Sequence, residues 1–124
     1  MSDEQVLRDA KILIVEDEIF IATALREYFL DAGAELAELS ATIEHSLELI
    51  ETTQFDLAIL DVMMPDGEVL PLAQKLQNLG TRLLVHSGNM MPNHFNDELP
   101  GVTFVMKPSP PDELLQIVAA KLRS

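Results

Sequence analysis

Three apolar runs in this chain each end on a group able to do chemistry. Ile12-Leu13-Ile14-Val15 runs into Glu16-Asp17, Leu57-Ala58-Ile59-Leu60 into Asp61, and Thr103-Phe104-Val105-Met106 into Lys107-Pro108. A fourth run, Leu83-Leu84-Val85, reaches Ser87 after one histidine. Short apolar runs bounded by polar residues read as buried strands of a parallel sheet, whose working groups lie beyond the carboxyl ends of the strands. Three acids, a hydroxyl and an ammonium would then share one cleft. Clustered carboxylates repel one another unless a cation intervenes, and Mg2+ takes oxygen ligands readily. With that charge neutralised, Asp61 is placed to attack phosphorus. Lys107 can compensate the acids or pair with a phosphoryl oxygen, and Ser87 can donate to the same group. The set points to a magnesium site with an aspartate nucleophile rather than to a hydrolytic triad.

Each member also has a plainer use. An aspartate after a strand forms turns and caps. An isolated lysine is commonly a solvated surface group, and Ser87 alone carries almost no information. Their joint placement at four strand ends is what points to a site.

The elements that must position these groups alternate along the chain. Residues 11–16 read as a first strand. Residues 18–32 read as a helix with Ala22, Leu25, Phe29 and Ala32 on one face, stopped by Gly33. Residues 35–39 are a weaker strand at or near a sheet edge, and residues 42 to about 52 a second helix whose entry is marked by Ser40 and Thr42. Residues 55–61 form the third strand, Pro65-Asp66-Gly67 a turn, and residues 68–79 a third helix closed by Gly80. Strands at 82–87 and 102–106 follow. Ser109-Pro110-Pro111-Asp112 is expected to open a last helix with a serine cap, running to about Leu122.

Between residues 88 and 101 the alternation calls for a helix. Two prolines, two glycines and three asparagines make it short or irregular, with Phe95, Leu99 and Met91 as its anchors. The fold class is therefore α/β, a doubly wound (βα)5 parallel sheet with right-handed crossovers. Residues 1–10 read as a polar leader, and residues 11–124 as one domain.

Composition narrows the function. The chain has 124 residues, no cysteine and a formal net charge of −13. Cysteine catalysis, thiolate metal sites and disulfide frameworks are excluded. Direct nucleic-acid binding is not expected, because phosphate neutralisation needs clustered Lys and Arg. The acidic start and the lack of an apolar run near the roughly 20 residues of a membrane span give an expectation of a cytoplasmic protein without membrane contact.

The stretches Ile12-Leu13-Ile14-Val15-Glu16-Asp17-Glu18, Phe55 through Pro65 and Phe104-Val105-Met106-Lys107-Pro108 resemble the response-regulator receiver domain, the CheY-like fold of two-component signalling. The resemblance spans about residues 10 to 122. It implies a flavodoxin-like strand order of 2-1-3-4-5. It implies that Asp61 accepts a phosphoryl group from a histidine kinase or a histidine phosphotransfer protein. Asp17, Asp61 and the Met63 carbonyl would bind Mg2+, with Glu16 assisting through water. Ser87 would hold the phosphoryl group, Lys107 would bridge to it, and Phe104 would be the switching aromatic. A cis bond before Pro108 is implied on the same grounds. Output would pass through contact with an unknown downstream protein, with homodimerisation left open. The early Asp66-Gly67 and the run His86-Ser87-Gly88-Asn89 depart from most receivers. They resemble the atypical single-domain receivers of alphaproteobacterial stress networks.

Two other functions compete. An aspartate-nucleophile, magnesium-dependent phosphohydrolase would need a second acid two residues after the nucleophile, where this chain has Met63. A receiver-like scaffold that takes no phosphate would have no use for Glu16, Asp17, Asp61, Ser87 and Lys107 together. The leading expectation is a switch and not an enzyme, beyond self-phosphoryl transfer and slow autodephosphorylation. His45 is read as a surface residue, and His86 as packed and neutral or as tuning the site with pH. The Met63-Met64 and Met90-Met91 pairs read as packing or loop contacts.

Overall fold

The computed structural model describes residues 5–88, 90 and 92–123. Among these, five parallel strands form one sheet in the order β2-β1-β3-β6-β7. They are β1 (Lys11–Val15), β2 (Leu36–Ser40), β3 (Leu57–Leu60), β6 (Arg82–Ser87) and β7 (Thr103–Met106). With the small hairpin of β4 (Met63–Met64) and β5 (Gly67–Glu68) set aside, this is the expected order 2-1-3-4-5.

The burial of each strand follows from its place. β3, flanked on both sides, is apolar and buried at every position, whereas edge strand β2 is buried only at Ala37 and Ser40. Side chains leave a strand on alternate faces, so the sheet sorts its residues into two cores. Ile12, Ile14, Leu57, Ile59 and Leu84 pack under helices α1 (Ile19–Asp31) and α5 (Pro111–Arg123). Leu13, Val15, Ala58, Leu60, Leu83 and Val85 pack under α2 (Ile43–Thr52), α3 (Leu70–Asn78) and α4 (Asn93–Glu98). The α1 face of Ala22, Leu25, Phe29 and Ala32 is buried as expected. The fourth helix is short, at six residues, and its anchors Phe95 and Leu99 are fully buried. The expected Met91 anchor lies outside the described residues.

Contacts made in the folded chain override the sequence pattern in three places. In the leader, Leu7 is 1% exposed and its N–H donates to the Ala32 carbonyl, so part of this segment closes the core at the end of α1. A side chain on Gly33 (φ 102°) would come within 3.3 Å of the Arg8 backbone, which is why glycine suits that contact. The third helix starts at Leu70 rather than at residue 68, because Gly67-Glu68 pairs back onto Met63-Met64. The last helix is not capped by Ser109. The Leu114 N–H bonds the Pro110 carbonyl, and the Ser109 hydroxyl is engaged elsewhere, with His86.

The hairpin turn has a second role. The Asp66 carboxylate accepts from the N–H groups of Ile43 and Glu44, at 2.8 and 3.0 Å, at the open start of α2. Thr42 caps the same helix through His45 N–H, as its position suggested. Together, Asp66's two backbone bonds hold its carboxyl below the ordinary value of 3.8. A depressed folded-state pKa means that the ionised form adds stability above pH 3.8, which is lost as pH falls through the lower folded value. Asp66→Asn should therefore lower the urea midpoint at pH 7, and the gap to wild type should close in acid. A gap independent of pH would show that charge plays no part in the cap.

Candidate functional site

The register of the sheet assembles the site. Val15 pairs with Leu60, Leu60 with Val85, and Val85 with Phe104. One residue further along, Glu16, Asp61 and His86 stand at three neighbouring strand ends. Pleat alternation puts them on the α1/α5 side with Ile14, Ile59 and Leu84. Lys107 follows β7, its N–H donating to the Ser87 carbonyl at 2.9 Å. Ser87 and Phe104 fall on the other face with Val85, Ser87 fully buried and Phe104 half-buried. The Lys107–Pro108 bond is cis.

The side chain of Lys107 reaches back across the strand ends. Its Nζ lies 2.5 Å from Glu16 Oε1, 2.9 Å from Asp61 Oδ2 and 3.3 Å from Glu18 Oε2. Asp61 Oδ1 accepts from the Val62 N–H at 2.7 Å, which orients the carboxylate. Glu16 Oε2 accepts from the Glu18 N–H at 3.1 Å. Burial raises the Glu16 carboxyl above its ordinary value, and the hydrogen bonds from Lys107 and Glu18 only partly offset this. Burial alone would lower the Lys107 ammonium. The hydrogen bonds and charges of Glu16 and Asp61 outweigh it and hold that pKa above the ordinary 10.5, so the lysine is charged at any physiological pH.

Glu16, Glu18 and Asp61 each offer an oxygen within 4.8 Å of the others, a cluster of hard donors that could hold a metal ion and suits a small divalent cation. The expected ligand Asp17 is exposed and lies outside this cluster. Met63 is 53% exposed on the hairpin that follows Asp61. Glu18 was not anticipated. It is the third acid of a run, and no periodicity shows which member of a strand-to-helix loop turns inward. His86 is buried, and its pKa is pushed down to about 4 by burial and then by the Lys107 charge, against the pull of Asp61. His45 and His94 are exposed.

A family model described as the response regulator receiver domain matches residues 12–119. This chain belongs to the response regulator receiver family. The receiver is 33% identical over 119 residues to the regulatory protein VanR of Enterococcus faecium, covering 91% of this chain and 50% of that protein. A CheY-like receiver domain protein from Methanospirillum hungatei is similar at 30% identity and a TM-score of 0.76, covering 93% of this chain and 94% of that one. A two-component response regulator from Clostridium difficile superposes with a TM-score of 0.83 over 93% of this chain and 97% of its own. At 22% identity it attests the fold alone. The receiver spans about half the length of the regulators it matches, 50% of VanR and 52% of DltR from Streptococcus agalactiae. It is a component of two-component signalling, a family that is in general not one of ordinary enzymes. No described helix is long and apolar enough to cross a membrane.

Proposed function

We propose that this receiver takes a phosphoryl group onto Asp61 from the phosphohistidine of a histidine kinase or phosphotransfer protein in the cytoplasm. The observation that carries the reading is the Asp61 carboxylate at the end of the central strand β3, 2.9 Å from Lys107 and clustered with Glu16 and Glu18. A carboxylate oxygen of Asp61 attacks phosphorus and the phosphorus–nitrogen bond breaks. The product is an acyl phosphate, and the electron pair returns to the donor imidazole. Asp61 with Glu16, Glu18, Asp17 or the Met63 carbonyl would hold magnesium, which when bound would supply positive charge to offset the phosphoryl oxygens. Lys107 transfers one of its hydrogen bonds to a phosphoryl oxygen, and Ser87 donates to another. Ser87 and Phe104 share a sheet face with α4, so a pull on Ser87 is felt where Phe95 and Leu99 anchor that helix. Output is then a phosphorylation-dependent contact with a downstream protein.

Intact-mass measurement after incubation with phosphoramidate and magnesium tests this directly. One added phosphoryl group is expected, absent when a chelator is present. The two candidate acids separate in the same assay. If Asp17 is a ligand, Asp17→Asn cuts labelling sharply, and if Glu18 serves instead, Glu18→Gln does so. Full labelling in chelator would remove the metal from the reading.

A further inference from the structure

His86 ends β6 with 4% of its surface exposed, and its Nδ1 has no hydrogen-bond partner among the described residues. A buried polar nitrogen without a partner is unfavourable, and the strand neighbours Leu84 and Val85 show that this segment readily carries apolar residues. What the ring gains is Ser109, whose Oγ lies 3.0 Å from Nε2. An unpaired acceptor is tolerated in protein interiors better than an unpaired N–H. The Nε2–H therefore donates to Ser109, and Nδ1 keeps its lone pair. The depressed imidazole pKa agrees with a neutral ring.

Ser109 lies two residues beyond Lys107. The loop between β7 and α5 contains Pro108 and Pro110, and α5 opens on Pro111; none of the three has an N–H to donate, so backbone bonds do little to hold the loop. β6 grips it at two points instead. The Ser87 carbonyl holds the Lys107 N–H, and the His86 ring holds the Ser109 side chain. Between these two points the Lys107 side chain extends to Glu16 and Asp61. We propose that His86 is a positioning residue for Lys107, fixing through Ser109 the loop that aims the ammonium at Asp61. The kinetic test of this proposal rests on Asp61 being the phosphoacceptor, while its spectroscopic test does not.

Three variants serve both tests. Ser109→Ala removes the hydroxyl. His86→Phe keeps a ring of similar size and removes the bond and the unpaired nitrogen together. Ser109→Thr keeps the hydroxyl, and its extra methyl can enter the cavity of about 200 Å³ lined by Ser109, Ile21 and Leu25. Labelling by phosphoramidate should slow about tenfold in Ser109→Ala and His86→Phe, as for a group displaced by a fraction of an ångström, and stay near wild type in Ser109→Thr. In a Lys107→Met background neither change should slow labelling further. His86→Phe should keep its urea midpoint, because an unpaired polar atom is removed, so the slower labelling is not explained by lost stability. Wild-type rates in both variants, or the same tenfold loss without Lys107, would overturn the proposal. If the wild type takes no label, the phosphoacceptor reading fails, and the clamp is judged on the nitrogen-15 signal of the Lys107 ammonium. A slowly exchanging signal in wild type and Ser109→Thr, lost in the other two, supports it. No such signal in wild type, or the same signal in all four proteins, rejects it.

Discussion

Asp61→Asn is expected to take no phosphoryl group from phosphoramidate and magnesium while the domain keeps its fold. Asparagine has the shape of aspartate, and its carbonyl can still accept the Val62 N–H that orients this side chain at 2.7 Å. What it lacks is the anionic oxygen that attacks phosphorus. Charge balance does not oppose the change. Three carboxylates face one ammonium in the wild type, and two remain in the variant. Stability should therefore stay within about 1 kcal/mol of wild type. The wild-type label, being an acyl phosphate, should be lost in alkali. A label that persists on Asp61→Asn would place the acceptor on another residue.

Lys107→Met should be the most destabilising single change at the site, and it should slow labelling as well. Glu16 and Asp61 have side chains only 3% and 11% exposed, and Lys107 is the cation both of them touch. Removing one partner of a buried pair typically costs about 3–5 kcal/mol, because the other charge is left unpaired. The cleft opens to water at the exposed Glu18, which allows partial rehydration, so about 2 kcal/mol is expected. Labelling should fall about a hundredfold, the usual loss when a donor to a developing anion is removed.

The pH dependence of this variant has a definite sign. Without Lys107, burial of Glu16 is less opposed, and its carboxyl moves further above the ordinary 4.5. A raised carboxyl pKa in the folded state means that stability is lost as pH rises through it. The gap between Lys107→Met and wild type should be small below pH 4.5 and widest in neutral and alkaline solution. Magnesium should narrow it by supplying positive charge to the same acids. Urea unfolding over this range, with and without magnesium, measures both effects. A gap that is constant with pH would mean that lost packing of the lysine stem, and not unpaired charge, destabilises the variant.

The sheet was legible in the linear chain because parallel strands buried on both faces must be apolar throughout. The runs at Ile12, Leu57 and Leu83 leave no other economical reading. The strand ends were legible for the same reason: an abrupt change from apolar to charged marks where the sheet stops. Asp61, Glu16 and Lys107 could be named as one constellation on that basis, and the structure brings these three together. The short fourth helix followed from its prolines and asparagines.

Other features depended on contacts between segments far apart in the chain. Only the folded protein shows that Glu18 turns toward Lys107 while Asp17 faces solvent, since a loop has no period from which to read direction. Asp66 caps a helix more than twenty residues before it, and Ser109 leaves its expected capping role for His86 on a strand earlier in the sequence. Leu7 joins the core from a stretch whose other residues are mostly polar. Strand identity is set by local composition, which any window of sequence carries. The choice of partner for one carboxylate, hydroxyl or imidazole is set by which segments packing brings within about 3 Å, and that is decided only when the two faces of the sheet are closed.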